Sequence, residues 1–575
     1  MEIMVFSPLS RLRVRSALLA LAACLSLTAP ALSQTAAQMA APPFTPALGP
    51  AQAFSYDILT AKAEALAQKP YAAPVVRNPA AYDKIDYDAY WRIRFKPEAT
   101  VYAGQTPIQF FHEGTYFRTP VGMNIVAGGQ ARHVIYTPDY FDMPKDSPAR
   151  AIESHAGFAG FRIMRPGLKT DWISFLGAAY FRTDGADRQY GLSARAIAID
   201  TGMSTPEEFP RFTDFWIEGG KDGLVTIYAL MDGPSVTGAI RMTGRDADGQ
   251  VLDVSTRFFF RKPVARLGIA PLTSMFWYSE ENRLQGFDWR PEVHDSDGLA
   301  MITGAGERSW RPLNDPPRVV TSSFSDNNPK GFGLIQRDRN FDHYQDDGVF
   351  YNKRPSVWIA PRGNWGAGAV QLVEIPTDDE IYDDVVAYWV PKTMPKAGDE
   401  VALDYTMTWG RLAPVNWEVA KTVATRIGRG GVPGQPRPKD QLKIAVDFAG
   451  PVLDGLTAKD DVKPQVSAPA GVEVINAYVL PVVGTKNWRM IFDLKTPPGT
   501  DTVDLRAYLE KGGKPLTETW LGQIHPAQML ALGKHEAKKG PEQGAQRRRA
   551  SARPPHRAGA SLALGAGSPS QLVAP

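Results

Sequence analysis

Residues 224–261 read LVTIYALMDGPSVTGAIRMTGRDADGQVLDVSTRFFFR. Three runs rich in β-branched and aromatic residues, Leu224 to Leu230, Val236 to Met242 and Val254 to Arg261, are separated by Asp232-Gly233-Pro234 and by Asp246 to Gly249. Apolar runs of strand length punctuated by Asp, Gly and Pro are the mark of antiparallel strands joined by short turns. The same texture extends outward in both directions. Upstream, Tyr90 to Phe95 alternates with period two, and His133 to Thr137, Phe158 to Ile163, Trp172 to Phe181 and Leu192 to Ile199 read as further strands. Ser55 to Gln68 is the one convincing helix, with Leu59, Ala63 and Leu66 at helical spacing and Pro70 just beyond its end. Many strands and almost no helical pattern predict an all-β chain of stacked antiparallel sheets.

Downstream the strand pattern runs without a linker to about Gly410, with a last strand at Val401 to Trp409. Arg426 to Lys439 is basic and rich in Gly and Pro and reads as a loop. Leu442 to Phe448, Val472 to Val479, Trp488 to Leu494 and Val503 to Leu509 then read as short strands. A segment of this size and pattern suggests an immunoglobulin-like sandwich. The expected organisation is therefore a signal peptide over 1–33, a flexible Ala-, Pro- and Gln-rich leader over 34–53, a large β-sandwich domain over 54–410, a small immunoglobulin-like domain over 411–530, and a disordered basic tail over 531–575.

The first 33 residues carry Arg11, Arg13 and Arg15, then an apolar stretch from Ser16 to Leu27 and the small residues Ala31-Leu32-Ser33. That is an export signal, too short to span a bilayer. Leu21-Ala22-Ala23-Cys24 also has the look of a lipoprotein box, against the plainer reading of a cysteine inside the apolar run. Cys24 is the only cysteine, so the mature chain has no disulfide and no thiolate chemistry. No later segment has the roughly 18 apolar residues of a membrane helix. The net charge of +3 is uneven: the signal carries +2 and residues 531–575 carry +6, which leaves the body at −5. A mildly acidic body argues against nucleic acid as partner and suits a neutral polymer such as a glucan.

Signatures for phosphate loops, dinucleotide folds, zinc hydrolases and serine hydrolases are missing. What stands out is the density of carboxylates, histidines and aromatics between residues 277 and 389. Glycoside chemistry needs two carboxyl groups about the scissile bond, and sugar binding needs aromatic faces and polar forks. Glu292 to Gly298 (EVHDSDG) reads equally as a turn; its Asp and His residues lack the paired spacing of metal ligands, so no metal is expected. Asn340 to Asp346 (NFDHYQD), with Tyr351, Arg354 and Trp358 behind it, reads also as a polar loop and strand. Asp378 to Asp384 (DDEIYDD) reads as a solvated acidic loop, or as a crowd in which one buried member has its pKa raised.

Taken together, SFLGAAYFR (174–182), QYGLSARAIAID (189–200), FWYSEENR (276–283), PEVHDSDGL (291–299), RNFDHYQD (339–346) and VVAYW (385–389) resemble the periplasmic glucan biosynthesis proteins, the MdoG/OpgG and OpgD family. The resemblance spans roughly 50–528 and leaves out the basic tail. It implies a large β-sandwich of the galactose-mutarotase type followed by an immunoglobulin-like sandwich. It implies action on osmoregulated periplasmic glucan with a β-1,2-linked backbone, as an inverting endo-hydrolase or a transglycosylase. The alternative is a non-catalytic glucan-binding assembly factor; a sugar epimerase rests on fold alone and is weaker. Carried over by motif, the general acid falls on Asp383, the base on Asp295 and a relay member on Tyr351. Glucan contacts fall on Tyr180, Arg182, Tyr190, Arg195, Trp277, Tyr278, Glu280, Arg283, His343 and Trp358, for which the alternatives are sandwich core and internal ion pairs. The implied partners are β-1,2-glucan and, as a further candidate, the inner-membrane glucan synthase, in the periplasm. A homodimer is among the assemblies left open, and no cofactor is required.

Overall fold

A computed structural model of the chain describes residues 44–531. The signal peptide, Cys24, the first part of the leader and nearly all of the basic tail lie outside the described residues. The meander that opened the sequence reading is present. Strands Arg211–Gly219, Val225–Asp232, Val236–Ala247 and Gly249–Phe260 pair antiparallel in order, Val225 opposite Gly244 and Val236 opposite Phe260. Gly249 closes the last turn at φ +89°, and a Cβ there would stand 2.4 Å from the Trp409 carbonyl oxygen. Only glycine meets both demands.

From this meander one ribbon of strands runs through most of the molecule. Gly249–Phe260 pairs with Asp404–Gly410, which pairs with Ser356–Arg362, then Gly331–Ile335, Gly298–Ile302 and Arg308–Pro312. A second, 11-stranded sheet orders Val320–Asn327, Ala367–Glu374, Val385–Pro391, Leu267–Ser274, Ser193–Arg195, Tyr180–Thr183, Asp171–Leu176, Phe158–Met164, Thr106–His112 and Val101–Ala103, with Ala198–Ile199 off this path. The two sheets pack through aromatic rings. Phe215 of the meander lies 4.9 Å from Phe161 and 5.4 Å from Phe175, and Phe175 stacks on Phe181 at 5.2 Å. All four rings are buried; each contributes about 2–3 kcal/mol by burial.

The C-terminal strands make a smaller sandwich. Lys421–Arg429, Gln441–Ala449, Trp488–Lys495 and Glu473–Pro481 form one sheet. Val462–Ser467, Val503–Lys511 and Thr519–Ile524 form the facing layer. Alternate residues such as Leu442, Ile444 and Val446 meet Leu505, Ala507 and Leu509 in a shared core. This layer is joined to the ribbon of the larger part, because Arg308–Pro312 pairs parallel with Thr519–Ile524, Trp310 opposite Trp520. Trp310, Trp358, Ala300 and Ile335 enter the same core, so no seam falls at residue 410.

Three local expectations are corrected. Residues 34–53 are not flexible throughout, since Leu48–Ala53 pairs with Gln130–Val134. Tyr90 to Phe95 is not one strand. Asp86 caps a short helix, Tyr87–Trp91, by accepting the Ala89 N–H at 2.9 Å, and only Arg94–Phe95 is extended. Arg426 to Arg429 belongs to a strand; the Gly- and Pro-rich loop starts after it. The expected helix is present as Tyr56–Ala67, with Ser55 capping it through the Ile58 N–H. Among the described residues no helix is long and apolar enough to cross a membrane.

Candidate functional site

The site is assembled where strands of the 11-stranded sheet end against the 275–297 and 336–354 segments. Tyr180 pairs with Arg195 across neighbouring strands, Ser193 pairs with Thr273, and Ser274 pairs with Val385, one residue beyond Asp384. Four adjacent strands therefore deliver Tyr180 and Arg182, Arg195, and the strand that follows Asp383. Asp295 follows the two-residue strand Val293–His294, which pairs with Phe276–Tyr278. Tyr351 opens a one-turn helix, Tyr351–Lys353.

Asp295 is buried, and its Oδ1 lies 3.3 Å from Arg354 Nε. The pair is in charge contact without hydrogen-bond alignment, so both atoms are buried and lack a hydrogen-bond partner. A buried acceptor of this kind is costly unless a ligand completes it. Burial raises Asp295 above the usual carboxylate range, against Arg354, His294 and Arg182, which favour its charge. Asp383 is partly buried; burial and then the charge of Asp295 push it up to about 6, with Arg195, Arg182 and Arg354 opposing. The charge of Asp295 makes ionisation of Asp383 costly, so Asp383 keeps its proton to about pH 6.

The walls are ordered by charge and ring contacts. The Arg195 guanidinium lies 4.7 Å above the Tyr180 ring, donates to Thr273 Oγ1 at 2.8 Å, and pairs with Glu207 at 2.5 Å. Arg182 lies 4.9 Å from the centre of the Tyr190 ring, whose hydroxyl donates to Asp171 at 2.8 Å. Arg354 packs 5.0 Å over Tyr351 and donates to the Tyr190 carbonyl. Tyr351 is buried and its hydroxyl donates to Glu380, which Arg290 holds at 2.8 Å while also gripping Asp288 and Asp346. Burial raises the Tyr351 hydroxyl above its usual value, so it stays protonated.

Asp295, Asp383, Tyr351, Tyr180, Arg182, Tyr190 and Arg195 thus come together. Arg354, Glu380 and Arg290 were missed as participants. Glu380 and Arg290 stand within a few residues of Asp383 and Asp295, and Arg354 three residues after Tyr351, a proximity that spacing alone does not separate from surface charge.

The other expected contacts have different surroundings, Trp277 and Tyr278 packing in the cluster that also holds Tyr351. Trp358 is 1% exposed and packs edge-on to Trp417 at 6.2 Å in the core of the C-terminal sandwich. Tyr278 is fully buried, its hydroxyl donating to the Arg290 carbonyl at 3.1 Å; Trp277 packs against it at 5.1 Å. Neither Trp358 nor Tyr278 presents a face to a sugar: Trp358 lies in the C-terminal sandwich core, and Tyr278 is buried among Met275, Val293, Tyr344 and Tyr351. Arg283 donates to the Gly286 and Asp288 carbonyls and ties its own loop. Glu280 accepts the Thr425 N–H at 2.8 Å, and a groove of about 790 Å³ lined by Glu280, Arg283, Leu284, Arg426 and Lys443 includes none of Asp295, Tyr351 and Asp383. His343 is exposed and ion-paired to Asp338.

A second charged network surrounds His294, whose ring nitrogens meet Glu292 at 3.1 Å and Gln336 at 3.1 Å. Burial acts to lower His294, but Glu292 and Asp297 overcome it and raise it to about 9. Glu292, Asp338 and His343 offer ligand-type atoms within 4.8 Å of one another. Asp338, however, is bonded to His343 Nδ1, and the histidine is raised in consequence, burial notwithstanding, which favours an imidazolium over a metal ligand.

Fold and site define a class on their own: an all-β protein whose strand ends converge buried carboxyls, arginines and aromatic rings. The chain belongs to the family described as periplasmic glucan biosynthesis protein, MdoG, whose model matches residues 54–524. "Glucans biosynthesis protein D 2" of Ralstonia nicotianae is 48% identical over 88% of this chain and 97% of its own length. "Glucans biosynthesis protein D" of Stenotrophomonas maltophilia is 44% identical over 89% of this chain and 97% of its own. A galactose mutarotase-related enzyme of Lactobacillus acidophilus aligns with 44% of this chain and 94% of its own, at 11% identity and a TM-score of 0.21, too low to carry an argument.

Proposed function

We propose that this protein acts in the periplasm on β-1,2-linked glucan, cleaving or transferring the glucosidic bond. Asp383 serves as general acid: it retains its proton to about pH 6 and so can protonate a leaving oxygen. Asp295 serves as base, and Tyr351, a protonated hydroxyl hydrogen-bonded to Glu380, is the relay member beside it. Arg182, Arg195 and Arg354, whose charges act on Asp383, are the donors for sugar hydroxyls, carried on the ring faces of Tyr190, Tyr180 and Tyr351. The observation that carries this reading is the carboxyl pair itself: Asp383 is raised by burial and by the charge of Asp295, whose own buried Oδ1 lacks a hydrogen-bond partner. A relay relaxes the usual separation rule for inverting carboxylates, so product stereochemistry is a matter for measurement.

The test is product analysis after incubation of purified protein with linear β-1,2-glucan. Shortened or cyclised chains are expected from wild type, and a loss of about 10²–10⁴-fold in turnover with Asp383→Asn. No change in chain length with wild type, or unchanged turnover in Asp383→Asn, defeats the reading. Glucan binding without turnover would instead favour a non-catalytic assembly role.

A further inference from the structure

Three consecutive residues, Ser274, Met275 and Phe276, hold both ends of the carboxyl pair. The sheet strand Leu267–Ser274 ends there, and the short strand Phe276–Tyr278 begins. On one side Ser274 pairs with Val385, the start of the strand that follows Asp383 and Asp384. On the other, the Met275 carbonyl accepts the Asp295 N–H at 2.9 Å, Phe276 pairs with His294, and Ser274 Oγ meets Ser296 Oγ at 2.9 Å. Pairing with the strand after Asp384 stops at Ser274, and the Phe276 N–H is taken by a side chain, donating to Asp384 Oδ1 at 2.8 Å. Asp384 is 2% exposed, and its Oδ2 is buried without a partner.

We propose that Asp384 is a positioning residue: its carboxyl clasps the Phe276 N–H at the break between the two strands and so fixes Asp383 in register with Asp295. The inference rests on the reading above for the roles of those two carboxyls. The clasp works as a neutral acceptor. Burial holds Asp384 well above the usual carboxylate range against the Phe276 N–H, and the nearby charges of Asp315 and Asp383 add to the rise. An amide of the same shape offers the same acceptor, whereas an apolar side chain leaves a buried N–H unsatisfied. Loss of the clasp lets the acid shift relative to the base, and a shift of about 1 Å costs on the order of 100-fold in rate.

The experiment compares wild type, Asp384→Asn and Asp384→Leu by two readouts. One is kcat and KM on linear β-1,2-glucan. The other needs no turnover: the pH midpoint of carbodiimide labelling at Asp383, read by peptide mass spectrometry. That midpoint reports the field of Asp295, Arg182, Arg195 and Arg354 around Asp383. The leucine variant is expected to lose kcat by about 100-fold with KM within about threefold, and to displace the midpoint. The asparagine variant is expected to match wild type in both. A folded leucine variant with wild-type kcat and midpoint overturns the proposal. So does an asparagine variant as impaired as leucine, which would assign the role to the proton of Asp384. Should the leucine variant not fold, Asp384→Glu, which lengthens the clasp by one methylene, decides by the same readouts. A wild type without turnover defeats the glucan-cleaving reading while the labelling midpoints still judge the clasp.

Discussion

At Asp383 function and stability pull in opposite directions. Its folded pKa of about 6 exceeds the unfolded value near 3.9, so the folded state holds its proton more tightly. The stability this provides is complete below the unfolded value and is lost as pH climbs through about 6. Asp383→Asn removes that loss and is expected to raise stability at pH 7 by about 1–2 kcal/mol at this partly exposed position, while turnover falls by about 10²–10⁴-fold. Urea melts of both proteins at pH 4.5 and pH 7 check it; equal stability at both values is the contrary outcome. In wild type, turnover that needs the protonated acid is expected to decline above about pH 6. Trp358 shows the reverse case, a residue with the right chemistry for sugar but the wrong surroundings. Trp358→Ala is expected to cost about 3–5 kcal/mol by opening a cavity among Trp310, Trp417 and Trp520, with glucan affinity of the folded fraction unchanged. Calorimetric melting and binding titration separate the two effects.

Among the elements, the 336–338 segment that borders the His294 network is anchored from the C-terminal sandwich. Arg337 donates to both oxygens of Glu518 at 2.5 and 3.0 Å and lies 3.6 Å from the centre of the Trp310 ring. Glu518 also accepts the Trp417 indole N–H at 2.5 Å and the Thr422 N–H at 2.8 Å, and it is fully buried. Removing one partner of such a network leaves an uncompensated buried charge. Glu518→Ala is therefore expected to destabilise by about 3–5 kcal/mol in chemical denaturation, more than the exposed Arg318–Asp501 pair, whose loss should cost under about 1 kcal/mol. The strand reading of this region was legible because alternation at Leu442 to Phe448 matches one buried face. Tyr90 to Phe95 alternates equally well, yet the Asp86 cap turned its start into a helix, a local hydrogen bond that outweighed the pattern.

For the whole molecule, the parallel pairing of Trp310 with Trp520 and the common core predict that the larger part does not stand alone. A chain ending at residue 410 would expose the edge of Arg308–Pro312 and the apolar faces of Ile302, Trp310, Ile335 and Trp358, an aggregation-prone surface. Its expression is expected to yield insoluble protein; a soluble fragment with a cooperative melt would show two independent domains.

By itself the sequence determined the all-β class, the sandwich-like layers and the family, because strand alternation, turn residues and long motifs are local properties carried in contiguous stretches such as 224–261. It also singled out Asp295 and Asp383, through HDSDG and the residues before VVAYW, as the carboxyls of the proposed reaction. Only the tertiary structure decided which neighbours those carboxyls have. Arg354 against Asp295, Glu380 on Tyr351, and Asp384 on Phe276 join positions 29 to 108 residues apart. Burial of Trp358 and Tyr278 was likewise out of reach, since an aromatic ring reads the same in a cleft as in a core until the opposing layer is in place.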